Sequence, residues 1–228
     1  MKIKRELRCV HRHTIKEHPS CFVKEMINYK SEKEFIKNTG KNWWEYPGNR
    51  IGFLDIETDG LKSDFSTMLS WTIKDRNGIY YYDIINKRDL FELEDYADKK
   101  LVESLVNRLS DFKIIITYFG LGFDLPYIRT KAIHYNIPFP DYGNIYSFDL
   151  YYTVRSKLNL SRKSLENVCD YFDIDGKTEI KKSIWRKAKY GNPDALEKVL
   201  EHNMHDCDIT EQLYDKLITQ SKWIRRSI

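Results

Sequence analysis

Long hydrophobic runs are missing from this chain. No stretch approaches the ~20 consecutive apolar residues of a membrane-spanning helix, so no such span is expected. Cysteine is sparse, with 4 in 228 residues. That spacing is not a disulfide framework, and a reducing cytoplasm is the expected setting. The first residues are basic and polar, unlike the apolar stretch of a secretory signal. Internal repeats and low-complexity segments are absent too, which removes repeat architectures.

What is present suits a soluble globular chain, at 41% apolar and 32% charged residues. The length allows one full domain plus a small appendage. Charge is unevenly placed. Residues 1–50 hold 12 Lys/Arg against 6 Asp/Glu, and the remainder holds 26 against 28. A basic segment beside a slightly acidic body fits a protein that grips a polyanion with one part and gathers acids in the other. An ordinary solvated basic surface has the same composition.

The division expected is a basic appendage over 1–48 and a main domain over 49–222. The appendage holds Cys9, His13, His18 and Cys21 at spacings compatible with a compact, structural zinc knuckle, with His11 able to replace His13. The same residues also fit a basic arm with surface histidines and two small apolar cysteines. A helix is expected over 20–39. The aromatic stretch Trp43, Trp44 and Tyr46 reads as a loop packing the appendage onto the main domain.

In the main domain, strands are expected at 50–57, 67–74 and 78–85. Asn77-Gly78 marks a hairpin between the last two. Helical spacing follows over 95–110, then an apolar run at 113–119 that suits a strand buried on both faces. Beyond residue 124 the chain reads as mostly helical, with an extended piece near 145–149. A long helix is expected from 193 to about 219, capped by Asn192 with Pro193 in its first turn. The fold class is α/β, a mixed sheet flanked by helices.

Within this frame the acids fall into a pattern. Asp55 and Glu57 alternate with Leu54 and Ile56, so they share one strand face. Two adjacent carboxylates repel each other unless a cation intervenes, and carboxylate oxygen suits Mg²⁺ or Mn²⁺. Asp124 follows the second buried strand, after two glycines that permit a sharp turn. His202 and Asp206 are four apart on the last helix and share a face. Taken singly, each acid also reads as a turn residue, a helix-start acid or a solvated charge.

Together, Phe-Leu-Asp-Ile-Glu-Thr (53–58), Gly-Phe-Asp-Leu-Pro-Tyr (122–127) and His-Asn-Met-His-Asp (202–206) resemble the three motifs of the DEDD superfamily of 3′→5′ exonucleases. More narrowly, the chain looks like stand-alone relatives of the family-B DNA polymerase proofreading domain, over roughly residues 50–220. The resemblance implies an RNase H-like fold and hydrolysis of DNA or RNA with two Mg²⁺ or Mn²⁺ ions. It implies Asp55, Glu57, Asp124 and Asp206 as metal ligands. It also implies His202 as a group that orients or deprotonates a water, and single-stranded 3′ ends as substrate. Asp149 sits where many relatives carry a further acid. Arg129 and Lys131 are candidates for phosphate contacts, and the appendage for docking a protein partner.

Two positions depart from the family pattern. Phe119 stands where many relatives have Asn. His202 has the four-residue spacing of the tyrosine branch but the residue of the histidine branch, and Glu201 fills the five-residue position. An RNase H-like endonuclease, or a binding module without catalysis, are the competing readings.

Overall fold

The computed structural model describes residues 50–93, 96–141, 143–174 and 180–218, with the backbone of 226–227. The segment 1–48 lies outside the described residues, and with it the expected zinc ligands and helix.

Strand β1, Ile51–Thr58, lies inside a mixed sheet ordered β3-β2-β1-β4-β5-β6. Strands β2 (Met68–Asp75) and β3 (Tyr80–Ile84) pair antiparallel, and β1 pairs antiparallel with β2. Their hairpin turns at Gly78, whose φ of 79° is open to glycine at no steric cost. Asp75 reinforces it by accepting from the backbone of Asn77 and Ile79 at 2.9 and 3.0 Å. On the other side, β4 (Ile114–Thr117) and β5 (Tyr146–Asp149) run parallel to β1. The two-residue β6 (Arg226–Ser227) pairs antiparallel with β5.

The described helices are α1 (Lys87–Glu92), α2 (Lys99–Leu109), α3 (Asp124–His134) and α4 (Leu150–Lys157). They continue with α5 (Leu165–Tyr171), α6 (Lys182–Lys189) and α7 (Pro193–Leu217). The cap expected for α7 is present: the Asn192 side chain accepts from Ala195 N at 3.0 Å, with Pro193 in the first turn.

Alternation along the strands divides the core into two clusters, one on each sheet face. Leu54, Ile56 and Ile115 pack with α2 and α3 through Leu105, Val106 and Ile128. Ile51, Phe53, Ile116 and Phe148 pack with Val154 of α4 and with Cys207, Leu213 and Tyr214 of α7. Each large side chain fully buried here contributes about 1.5–3 kcal/mol.

Helix α7 belongs to both clusters. Its first turns (Ala195, Leu196, Val199) join the first cluster, and its later turns, from Cys207 onward, join the second. The intervening stretch, which contains His202 and Asp206, belongs to neither. The buried line along the helix runs Val199, Asn203, Cys207, Thr210 and Tyr214. Leu200 and Met204, although apolar, lie off that line and are only partly buried.

The expected strand at 113–119 is shorter than its apolar run. It ends at Thr117, because Phe119 takes φ of 66° and leaves the strand. The turn that follows delivers α3.

Candidate active site

Asp55 and Glu57 share the face of β1 that carries Phe53. Phe53 lies edge-on against Tyr214 of α7, with ring centroids 5.7 Å apart. The acids therefore lie on the face that α7 covers. Ion pairs fix that helix against β2. Lys74 reaches Asp208 at 2.6 Å and Glu211 at 2.7 Å, and Arg76 reaches Glu211 and Asp215 at 3.0 Å each.

This packing brings His202 to the end of β1. Its Nε2 lies 3.7 Å from Glu57 Oε1 and 3.9 Å from Asp206 Oδ2. One ligand atom from each of these three residues lies within 4.8 Å of the other two. That is a donor set able to hold a metal ion, its two carboxylates offering the oxygen that Mg²⁺ and Mn²⁺ prefer.

Asp124 arrives from the opposite neighbour of β1. It opens α3, but its side chain does not serve as the helix cap. It instead accepts the backbone N–H of Ile56 at 3.1 Å. The β1–β4 ladder stops at Phe53 and Ile116, so Asp124 satisfies a donor beyond the end of the partner strand.

Electrostatics report the crowding. Desolvation raises the Asp55 pKa well above its ordinary value, and the charges of Glu57, Asp124 and Asp206 raise it further. A hydrogen bond from Asn203 works the other way. Asp124 is pushed up to about 7, by burial first, with the charges of Asp149 and Asp206 adding to it. Its backbone hydrogen bonds oppose the rise. Acids that resist ionisation because they face one another are suited to a cation, which reverses both effects. The residues present therefore fit divalent metal.

Asp149 does a different job. It is fully buried and accepts three backbone N–H groups, from Phe119 at 2.8 Å, Leu121 at 2.9 Å and Tyr151 at 3.0 Å. It pins the turn that presents Asp124 and caps α4 in the same stroke.

Each of the two candidates for phosphate contacts has a partner within the fold. Lys131 is buried and ion-paired with Asp98 at 3.1 Å. Asp98 is itself buried, accepting from Met68 N at 2.8 Å and from the Tyr135 hydroxyl. Arg129 lies over the Phe139 ring, 5.4 Å from its centroid.

One residue at the site was not singled out by its sequence context. Asn203 is fully buried and donates its side-chain amide to Asp55 Oδ2 at 2.6 Å. Its signal was a polar residue four positions before Cys207, within a line of core positions. A buried amide there needs partners, and a carboxylate across the interface is one.

Comparison with known proteins agrees with this architecture. A solved structure of the family B DNA polymerase from the hyperthermophilic archaeon Pyrobaculum calidifontis superposes with a TM-score of 0.60 at 20% sequence identity. The match covers 75% of this chain and 25% of the polymerase, so the chain spans about a quarter of that protein's length. No curated protein matches the sequence. Among the described residues, no helix is long and apolar enough to cross a membrane. The family model of the RNase H superfamily matches residues 52–218, most of the chain, and the protein belongs to that superfamily.

Proposed function

We propose that this protein is a metal-dependent 3′→5′ exonuclease of the DEDD type, hydrolysing phosphodiester bonds of DNA or RNA. The observation that carries the reading is the meeting of Glu57 on β1 with His202 and Asp206 on α7, beside the crowded Asp55 and Asp124. Membership of the RNase H superfamily supports nuclease activity in general.

Asp55, Glu57, Asp124 and Asp206 are the residues that would hold two Mg²⁺ or Mn²⁺ ions. Such ions lower the pKa of water and neutralise charge on the scissile phosphate. The chain's own contribution is placement. Asn203 holds Asp55 in one orientation, and the Ile56 amide does the same for Asp124. The His202 imidazole is the group placed to take the proton that an attacking water loses. Glu57 and Asp206, at 3.7 and 3.9 Å, would stabilise the resulting imidazolium.

The test uses 5′-labelled single- and double-stranded DNA and RNA, with Mg²⁺, Mn²⁺ or chelator. A metal-dependent ladder shortening from the 3′ end is expected, and Asp55→Asn should abolish it while melting no lower than the wild type in chelator. Internal cuts would instead indicate an endonuclease. Metal-independent binding without cleavage would indicate a binding module.

A further inference from the structure

Helix α6 carries charge that the proposed chemistry does not use. Residues 181–191 contain Lys181, Lys182, Arg186, Lys187 and Lys189 and no acid, and all five cations are exposed. Among the described residues, Lys189 pairs with Asp59 at 3.0 Å, and no acid pairs with the other four. Like charges three and four positions apart on a helix repel each other. The helix dipole favours the cations of the last turn, but it disfavours Lys181 and Lys182 at the start. Helix stability therefore does not account for the set.

The charges are held on a fixed support. Ala188 is buried in the first core cluster, and Ile184 and Trp185 pack against it. Lys182, Arg186 and Lys189, four and three positions apart, form a stripe on another side of the helix. Gly191, just past the helix, lies against Lys87 of α1, a further exposed cation: a Cβ on Gly191 would be 3.0 Å from Lys87 Cγ.

The stripe ends beside the acids. Asp59, the partner of Lys189, stands two residues past Glu57, and its other carboxylate oxygen accepts from Thr67 N at 2.7 Å. Beyond Gly191 the chain enters α7, which carries His202 and Asp206. The end of β1 and the end of α6 thus meet at Asp59.

A fixed cationic face suits a polyanion, and its shape and composition narrow the kind. A basic amphipathic helix lies on a membrane through its apolar side, and here the core occupies that side. Single strands are held in grooves where aromatic side chains stack the bases. The outer side of α6 is convex, and its stripe of Lys182, Arg186 and Lys189, flanked by Ser183 and Lys187, has no aromatic residue. A duplex, whose bases are already stacked, offers such a surface its phosphates alone.

We propose that α6 binds the phosphate backbone of a double-stranded stem adjoining the strand end that enters the acid site. The assignment rests on the nuclease reading for its substrate class. It makes this chain prefer an end that overhangs a duplex to the end of a free single strand.

The test compares a fluorescein-labelled DNA hairpin carrying a 3′ overhang with a single strand of the same length and the same 3′ sequence. Binding to the full chain is followed by anisotropy over a series of NaCl concentrations, with Ca²⁺ replacing Mg²⁺ to suppress cleavage. The wild type should bind the hairpin ~10-fold tighter than the strand. The triple variant Lys182→Gln, Arg186→Gln, Lys187→Gln changes only exposed side chains and should melt like the wild type. It should lose the preference, and its salt slope for the hairpin should fall by roughly 0.9 for each phosphate contact removed. Arg155→Gln, Lys157→Gln, Arg162→Gln removes the same charge from another surface and should keep the preference. Equal binding of hairpin and strand by the wild type overturns the proposal, and so does no binding at all. A preference that survives in the α6 variant, or that the control variant loses equally, also overturns it. Binding to phosphatidylserine vesicles that the α6 variant loses, with the hairpin preference intact, would assign the surface to membranes instead. Hydrolysis of the same DNAs in Mg²⁺ is scored separately. Preference without hydrolysis leaves the α6 surface standing and removes the nuclease reading, and hydrolysis without preference does the reverse.

Discussion

Asn203 and Asp55 are 148 positions apart in sequence and 2.6 Å apart at their hydrogen-bonding atoms. The amide carbonyl of Asn203 in turn faces the Ser70 hydroxyl at 3.5 Å. Strand β1, strand β2 and helix α7 are thereby joined at one of the residues proposed to hold metal. Burial and three neighbouring acids favour the protonated form of Asp55, and the Asn203 donor favours the charged form.

Replacing that donor should therefore weaken metal binding. Asn203→Leu keeps the approximate volume but removes the amide. Residues that orient a metal ligand typically cost 10–100-fold in metal affinity or activity when changed. We expect the Mn²⁺ midpoint for activity to rise by about that factor. A midpoint within two-fold of wild type would show that Asp55 needs no support from Asn203.

The crowded acids also set a pH dependence for the metal-free fold. Asp124 has its folded pKa raised from 3.8 to about 7, and Asp55 is raised as well. A raised folded pKa means that the folded state binds the proton more tightly. The associated stability is fully present below the unfolded value and is lost as pH rises through the folded one. In chelator, the melting temperature should therefore fall between about pH 5 and about pH 8. Mn²⁺ should raise it at the upper pH, where the carboxylates are free to bind metal. A chelated protein whose melting temperature is flat over that range would contradict the clustering of Asp55 and Asp124.

Much of this arrangement was legible in the residues. Alternation along β1 placed Asp55 and Glu57 on one face, and the cap at Asn192 placed the start of α7. The spacing of His202 and Asp206 put them on one side of that helix. What stayed hidden depends on contacts between distant elements. The core spacing of Asn203 pointed to burial, but its partner lies on a distant strand that local pattern does not name. Lys131 read as a candidate for phosphate contact, because Asp98 lies 33 positions away and only the packing of α2 against α3 joins them. Asp149 could be ranked near the site but not given its task, since its backbone donors belong to a turn whose shape was unknown.

That turn offers a stability measurement. Asp149→Ala would leave the backbone donors of Phe119 and Leu121 without their carboxylate partner. Breaking buried hydrogen bonds to a charged acceptor costs about 1.5–3 kcal/mol each, with partial relief from water. We expect a loss of about 3 kcal/mol in urea denaturation. Asp149→Asn retains one carbonyl acceptor and should lose less. An unchanged midpoint for Asp149→Ala would mean that the turn holds itself.

His202 poses the sharpest choice, because the geometry permits two roles. Its Nε2 lies between Glu57 and Asp206, where it can serve as a base, and the same three atoms form a metal-sized cluster. A base acts on the rate, and a ligand acts on metal affinity. If His202 takes a proton, His202→Ala should lower kcat by ~10²-fold at saturating Mn²⁺ and leave the Mn²⁺ midpoint in place. If it ligates, the midpoint should move by ~10-fold or more and excess metal should recover much of the rate. We expect the first result. The proposed ligand set already contains four carboxylates, and hard divalent ions prefer their oxygens to imidazole nitrogen. An imidazole flanked by two acids gains most from them when it is charged. His202→Gln, which offers an amide but cannot hold a proton at neutral pH, should be as slow as His202→Ala. Near-normal kcat in His202→Gln would leave His202 with an orienting role alone.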